Sequence, residues 1–248
     1  MKSLALTTLI ATLTVGGVTG SFVACSQDSD SGSTTGKRVA LKTVARGEGA
    51  GPFVNSLGWS VTLKTARVSV ASLYYFDGEP IFSLRRALLP RSAFAHPGHY
   101  VAGEARGEMT TAGTVDLLAA ESPLPNGIGI SGAVRSARFT FGKGADGHAV
   151  FVEGEAKNGA VTLPFAGKAD LADVLDSTGE PKVEGCVFTT NDMQADGTVT
   201  VQIKPSVWFD QVDFTDVKTD LSSSTVAFSG FTRGLMKGTA YVFSYRSP

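Results

Sequence analysis

Two of the three histidines in this chain fall within four residues of each other, in Ala95-His96-Pro97-Gly98-His99-Tyr100. Pro-Gly is the favoured centre of a type II turn, because the proline ring fixes φ at the second position and glycine takes a positive φ at the third. His96 and His99 then occupy the outer positions, with Cα atoms under about 7 Å apart. Two imidazoles that close could chelate a metal ion with little loop ordering left to do on binding. Further donors stand nearby in the sequence: Glu104, Glu108 and the thioether of Met109, while His148, just after Asp146-Gly147, could join from a neighbouring loop. Imidazole suits zinc, copper, nickel or iron, and a thioether tilts the choice to copper, Cu(I) above all. The expected site is a transition-metal centre on His96, His99, His148 and Met109, with copper first and zinc second. The competing reading is a plain loop whose imidazoles hydrogen-bond main-chain carbonyls, with His148 exposed beside its turn and Met109 in the core.

Other chemistry has less behind it. There is no Gly-x-Ser-x-Gly elbow, no His-Glu-x-x-His and no phosphate loop of the Gly-Lys-Ser/Thr type. Asp210, Asp213 and Asp216 recur every three residues, the spacing of one side of a short helix. They lack the Asp-x-Asp-x-Asp-Gly order of a calcium loop, so a solvated helix face is the better reading. Gly142 to Gly147 is glycine-rich but lies between two strand-like stretches, which makes it a hairpin loop and no nucleotide cradle. Cys186, between Gly185 and Val187-Phe188, fits a buried small apolar residue. The expectation is a metal carrier or sensor rather than an enzyme, with a metal-free adhesion or assembly module binding another envelope protein as the rival.

Where such a site would work is indicated at the N-terminus. Met1-Lys2-Ser3 supplies a positive charge, Leu4 to Val23 carries none, and the stretch ends in Phe22-Val23-Ala24-Cys25. Charged start, apolar run, small residue and cysteine in that order resemble the lipobox of bacterial lipoprotein precursors, with Phe22 where leucine is usual. The resemblance implies removal of residues 1–24, a diacylglycerol thioether on Cys25 and a fatty acyl group such as palmitate on its amine. Two or more acyl chains suffice for stable attachment to a lipid bilayer. The implied location is the cell envelope, lipid-anchored, at the outer membrane or a periplasm-facing membrane surface in a Gram-negative cell. Ser26 to Gly36 has no apolar residue and reads as a flexible tether with a typical span of roughly 17 to 20 Å. With Cys25 acylated, Cys186 would be the remaining thiol, and the domain would have no internal disulfide.

The elements that must position these residues are strands. Charged residues make up 18% of the 248-residue chain, against roughly 25% usually, and the 29 glycines favour short turns over long charged helices. Lys plus Arg is 22 and Asp plus Glu is 23, which leaves no basic excess for nucleic acid. Period-two alternation runs through Trp59–Lys64, Ala66–Val70, Arg135–Phe141, Val199–Ile203 and Tyr241–Tyr245. Asp77-Gly78, Asn126-Gly127, Asp146-Gly147, Asn158-Gly159 and Asp196-Gly197 are turn dipeptides, and the clearest hairpin pairs Val150–Ala156 with Val161–Ala166. Ser83–Leu89, Leu171–Leu175 and Ser206–Phe214 could each form a turn or two of helix. Residues 37–248 are therefore expected to form one all-β domain, an antiparallel β-sandwich or jelly roll without parallel crossovers, with a closed β-barrel as the alternative. The His-Pro-Gly-His-Tyr segment, with Leu73-Tyr74-Tyr75-Phe76 before it and Trp208-Phe209 after it, is similar to uncharacterised strand-rich bacterial lipoproteins. That likeness implies an architecture and no activity.

Overall fold

The computed structural model describes residues 36–49, 51–80, 102–190, 192–221 and 225–248. Its strands, in chain order, are β1 (Arg38–Arg46), β2 (Phe53–Val54), β3 (Ser60–Phe76), β4 (Ala105–Met109), β5 (Gly113–Asp116), β6 (Ser122–Ile130), β7 (Gly132–Ala133) and β8 (Ser136–Phe141). They continue as β9 (Val150–Asn158), β10 (Val161–Ala169), β11 (Lys182–Phe188), β12 (Asp192–Met193), β13 (Gly197–Ile203), β14 (Asp220–Leu221) and β15 (Tyr241–Arg246). Two α-helices, α1 (Pro205–Phe209) and α2 (Val226–Leu235), lie in the connection from β13 to β15.

The alternating stretches at Trp59–Lys64 and Ala66–Val70 are one long strand, and their change of phase has a cause. Val61 and Leu63 are buried at odd positions, Ala66, Val68 and Val70 at even ones, and Leu73 and Tyr75 at odd ones again. Register irregularities fall at Leu63/Thr65 against β9 and at Val70/Ser72 against β8, one at each flip. A bulge inserts one residue and so moves every later side chain to the opposite face. Two bulges let a single strand bend and keep one face inward along its whole length.

The main sheet runs β14-β10-β9-β3-β4-β6-β1-β13-β15-β11-β8 and folds over on itself, sandwich-like, until β8 meets β3 along Val70–Phe76. It is not closed into a barrel. The first half of β3 continues instead to β9 and β10, and among the described residues the far side of β10 pairs only with the two residues of β14, which leaves an edge there. Pro164 stands on that edge and has no N–H to offer an incoming strand. The all-β class is as expected, but the sheet is mixed: β1 with β13, β11 with β15 and β10 with β14 are parallel. Local alternation cannot reveal which distant strands become neighbours, and a parallel pair needs only a long enough connection.

The turn dipeptides divide into two kinds. Gly147 and Gly159 have φ of 90° and 58° and make the tight turns expected of them. Gly127 instead lies inside β6, where a Cβ would come within 2.6 Å of the Glu108 carbonyl oxygen, so that glycine serves close strand approach. Helix is also distributed differently. Leu171–Asp173 is a single 3-10 turn, Ser83–Leu89 lies outside the described residues, and α2 was not signalled by the sequence. Its aromatic, β-branched and glycine residues are poor helix formers. It holds because the Thr225 hydroxyl accepts a bond from Phe228 N, and because Gly230 and Gly234 let its backbone lie directly on the 208–212 stretch. The core is continuous from Val39 to Tyr245 within a compact unit, Thr35–Pro248, so a chain beginning at Thr35 keeps all of it.

Candidate functional site

Of the expected site residues, Cys25, His96 and His99 lie outside the described residues. Met109 and His148 do not meet. Met109 takes the inward position at the end of β4, opposite Leu73, and is 1% exposed in the core. His148 is in the loop before β9, where Ser69 N donates to the Ala149 carbonyl. Ser69 and Leu73 are four residues apart on β3, a separation of about 13 Å at the usual strand rise. The His148 ring is already engaged, with Nδ1 2.7 Å from the Asp170 carboxylate, and the His148 backbone N–H donates to Asp146 Oδ1. No group of three or more His, Cys, Asp or Glu side chains able to hold a metal ion occurs among the described residues.

The flanks of the histidine-bearing stretch are tightly organised. Gly78 N donates to the Ala102 carbonyl at 2.9 Å and Asp77 N to the Glu104 carbonyl at 3.2 Å, so the chain leaves and rejoins the sheet at one point. Asp77 is the pin: its Oδ1 accepts from Glu104 N at 2.8 Å, and its Oδ2 pairs with Arg106 at 2.8 Å. Arg106 also reaches the exposed Glu104 carboxylate at 3.2 Å. Gly103 has φ of 82°, and a Cβ there would lie 2.6 Å from Gly78 N, so glycine is required by both conformation and space. Beside the pin, the Arg138 guanidinium lies over the rings of Tyr74 and Phe76 at 5.7 and 5.4 Å. This packing fixes the outward face of the end of β3.

Next to this junction a groove of about 630 Å³ crosses β1, β6 and β4, within the range of small-ligand sites. Ile128, Ile130, Val39 and Ala40 line it, together with Arg38 and Arg106. Ile128 is 65% exposed, an unusual position for a large aliphatic side chain. Asp196 Oδ1 is occupied by Ala40 N at 2.8 Å. Sequence reasoning missed the groove because it took Asn126-Gly127 for a turn. The signal was Gly-Ile-Gly-Ile at 127–130, in which glycines and isoleucines alternate, so the bulky residues face outward.

The three spaced aspartates do not share a helix face, since α1 ends at Phe209. Asp210 accepts from Gln211 and lies 3.7 Å from Lys237, while Asp213 accepts from Thr215 N and Oγ1. The Gln211 bond lowers the Asp210 pKa, and the Thr215 bonds lower that of Asp213. Asp210 and Asp213 are thus used locally. Cys186 is fully buried, and burial pushes its thiol up to about 12, which suits a packing residue and not a ligand.

No protein-family model and no curated protein matches the chain. Among solved structures it is similar to MbnP from Methylosinus trichosporium, at 12% identity over 76% of this chain and 81% of that one. The TM-score is 0.33, a likeness too loose to carry any inference about fold or site.

Proposed function

We propose that this protein is an exported lipoprotein, anchored in the cell envelope through acylated Cys25, that binds a transition metal through His96 and His99 as a carrier or sensor. The observation that carries the reading is that two of three histidines flank Pro97-Gly98 in a stretch whose described flanks are hydrogen-bonded to each other on a rigid sheet. Three Cα–Cα steps join His99 to Ala102, which bounds their Cα distance at about 11 Å by chain length alone. Glu104, exposed at the junction, is the described carboxylate best suited to complete the ligand set. Met109 belongs to the core and His148 to Asp170, so the thioether case for Cu(I) loses its support. Two imidazoles and a carboxylate suit a divalent ion, with Cu(II) above Zn(II) in intrinsic affinity. Calorimetric titration of the chain from Thr35 with Cu(II) and Zn(II) tests this. Binding should vanish in the His96→Ala/His99→Ala double variant, weaken in Glu104→Gln and persist in Met109→Leu. Unchanged affinity in the double variant would remove the reading.

The groove favours a second reading, a metal-free adhesion or assembly module. It predicts a melting temperature indifferent to metal and co-purification with an envelope protein.

A further inference from the structure

The point at which the N-terminal stretch joins the domain is well defined. Lys37 N donates to the Ser131 hydroxyl at 2.9 Å, and Ser131 N returns a bond to the Lys37 carbonyl at 2.8 Å. A Cβ on Gly36 would lie 2.3 Å from Ile130 Cγ2, so the chain enters against a groove residue. Whatever holds the chain at Cys25 therefore pulls on the domain at the rim of this groove, through the eleven residues from Ser26 to Gly36.

The charge on this face is unbalanced in one direction. Arg38 and Lys42 alternate with Ala40 on the outward side of β1. Lys42 is in register with Thr198 on β13 and Thr198 with Arg246 on β15, which extends the cationic row across three strands. Among the described residues, Lys37, Arg38, Lys42 and Arg246 make no ion pair with a carboxylate. Of the acids of the face, Glu121 is paired with Arg46 and lies also in the field of Lys42 and Arg246, and Asp196 accepts from Ala40 N. Glu108, opposite Ile128 on β4, is the remaining carboxylate of the groove.

We propose that the outward face of β4, β6, β1, β13 and β15 docks on the anionic phospholipid surface to which the protein is anchored, with Ile128 and Ile130 among the headgroups and Arg38, Lys42 and Arg246 on lipid phosphates. The proposal rests on the lipid-anchor reading for its setting. Each basic residue near an anionic surface raises partition about fivefold, and the exposed isoleucine adds an apolar contact. Weak affinity is enough, because a short tether holds the domain at millimolar effective concentration beside the bilayer.

The test uses the chain from Thr35, which lacks Cys25, so it is independent of acylation. Acylation is tested separately, by whether Cys25→Ser releases the full chain from membranes. In flotation with phosphatidylcholine vesicles containing phosphatidylglycerol, the domain should rise with the vesicles, and it should stay behind with phosphatidylcholine alone. The Arg38→Gln/Lys42→Gln/Arg246→Gln variant should lose at least tenfold in partition and Ile128→Asn severalfold, with melting temperatures unchanged. A polarity-sensitive dye on Ile128→Cys should shift to the blue with anionic vesicles, and one on Val226→Cys, 80% exposed at the start of α2, should not; the native Cys186 is buried and does not compete for label. Absence of flotation, equal flotation of the triple variant or an equal dye response at both positions would overturn the proposal, and absence of flotation would return the groove to a protein partner.

Discussion

Two outward faces of the same sheet are built on different principles. On β8 and β11 the side chains form a closed charge lattice: Glu184 lies 2.6 Å from Arg138 and 3.4 Å from Lys182, and Lys182 also meets Asp176 and Glu180. Lys182 and Glu184 are largely shielded, at 13% and 23% exposure. The bond that Lys182 donates to Glu180 first, and the Glu184 charge after it, outweigh burial and hold the Lys182 pKa above the ordinary lysine range. On β1, β6 and β4 the strands are held by their backbones, and Arg38 and Lys42, unlike Arg46 and Arg106, make no ion pair among the described residues. Cβ atoms on Gly127 and Gly129 would come within 2.6 and 2.9 Å of the carbonyl oxygens of Glu108 and Arg106. Where the backbone supplies the cohesion, outward side chains are not needed for folding and are free to meet something else.

The strongest way to break that contrast is to deny the open face its backbone contact. Gly127→Val would drive a branched side chain into the main chain of β4, and we expect a loss of about 3 kcal/mol. At about 2 to 4 °C per kcal/mol for a domain of this size, the melting temperature should fall by roughly 6 to 12 °C. A fall under about 2 °C would mean that the strands can part without cost and that glycine is incidental there. The next effect belongs to the closed face. Glu184→Leu leaves Arg138 and Lys182 partly buried beside each other without their shared carboxylate, and should cost about 2 kcal/mol, between the values for surface and buried pairs. Denaturant unfolding of this variant beside Glu155→Leu, whose partner Lys64 is 60% exposed, separates the two cases, because the exposed pair should cost well under 1 kcal/mol.

The same contrast explains what could be read from the sequence. Buried faces of single strands were legible, as in Ala137, Phe139 and Phe141, because alternation is a local property of the chain. The hairpin of β9 and β10 was legible through Asn158-Gly159. The parallel neighbours of β1 and β11 were not, since nothing local records a pairing across some 50 to 150 residues. Nor was α2, whose stability comes from lying on the 208–212 stretch through Gly230 and Gly234 rather than from propensity. At the candidate site, Met109 alternates with Glu108 and takes the inward side, a position that residue chemistry alone could not decide. The groove was hidden for a related reason: a glycine that permits close strand approach is indistinguishable, in one sequence, from a glycine that permits a turn.

The smallest expected effect is the most discriminating. Arg38→Gln and Lys42→Gln remove two cations that make no ion pair among the described residues, so each should change unfolding free energy by no more than about 0.5 kcal/mol. Removing like charge from a row that already includes Arg246 could even stabilise the domain slightly, because unpaired cations at strand spacing repel one another. The check is denaturant unfolding of the two single variants and the double at low and at high salt. Their difference from the parent protein should shrink as salt screens the row. A loss above about 1 kcal/mol that persists in high salt would show that the stems of Arg38 and Lys42 are packing elements. The open face would then matter to folding as much as the lattice on β8 and β11 does, and the division between a face that holds the protein together and a face kept for a partner would fail.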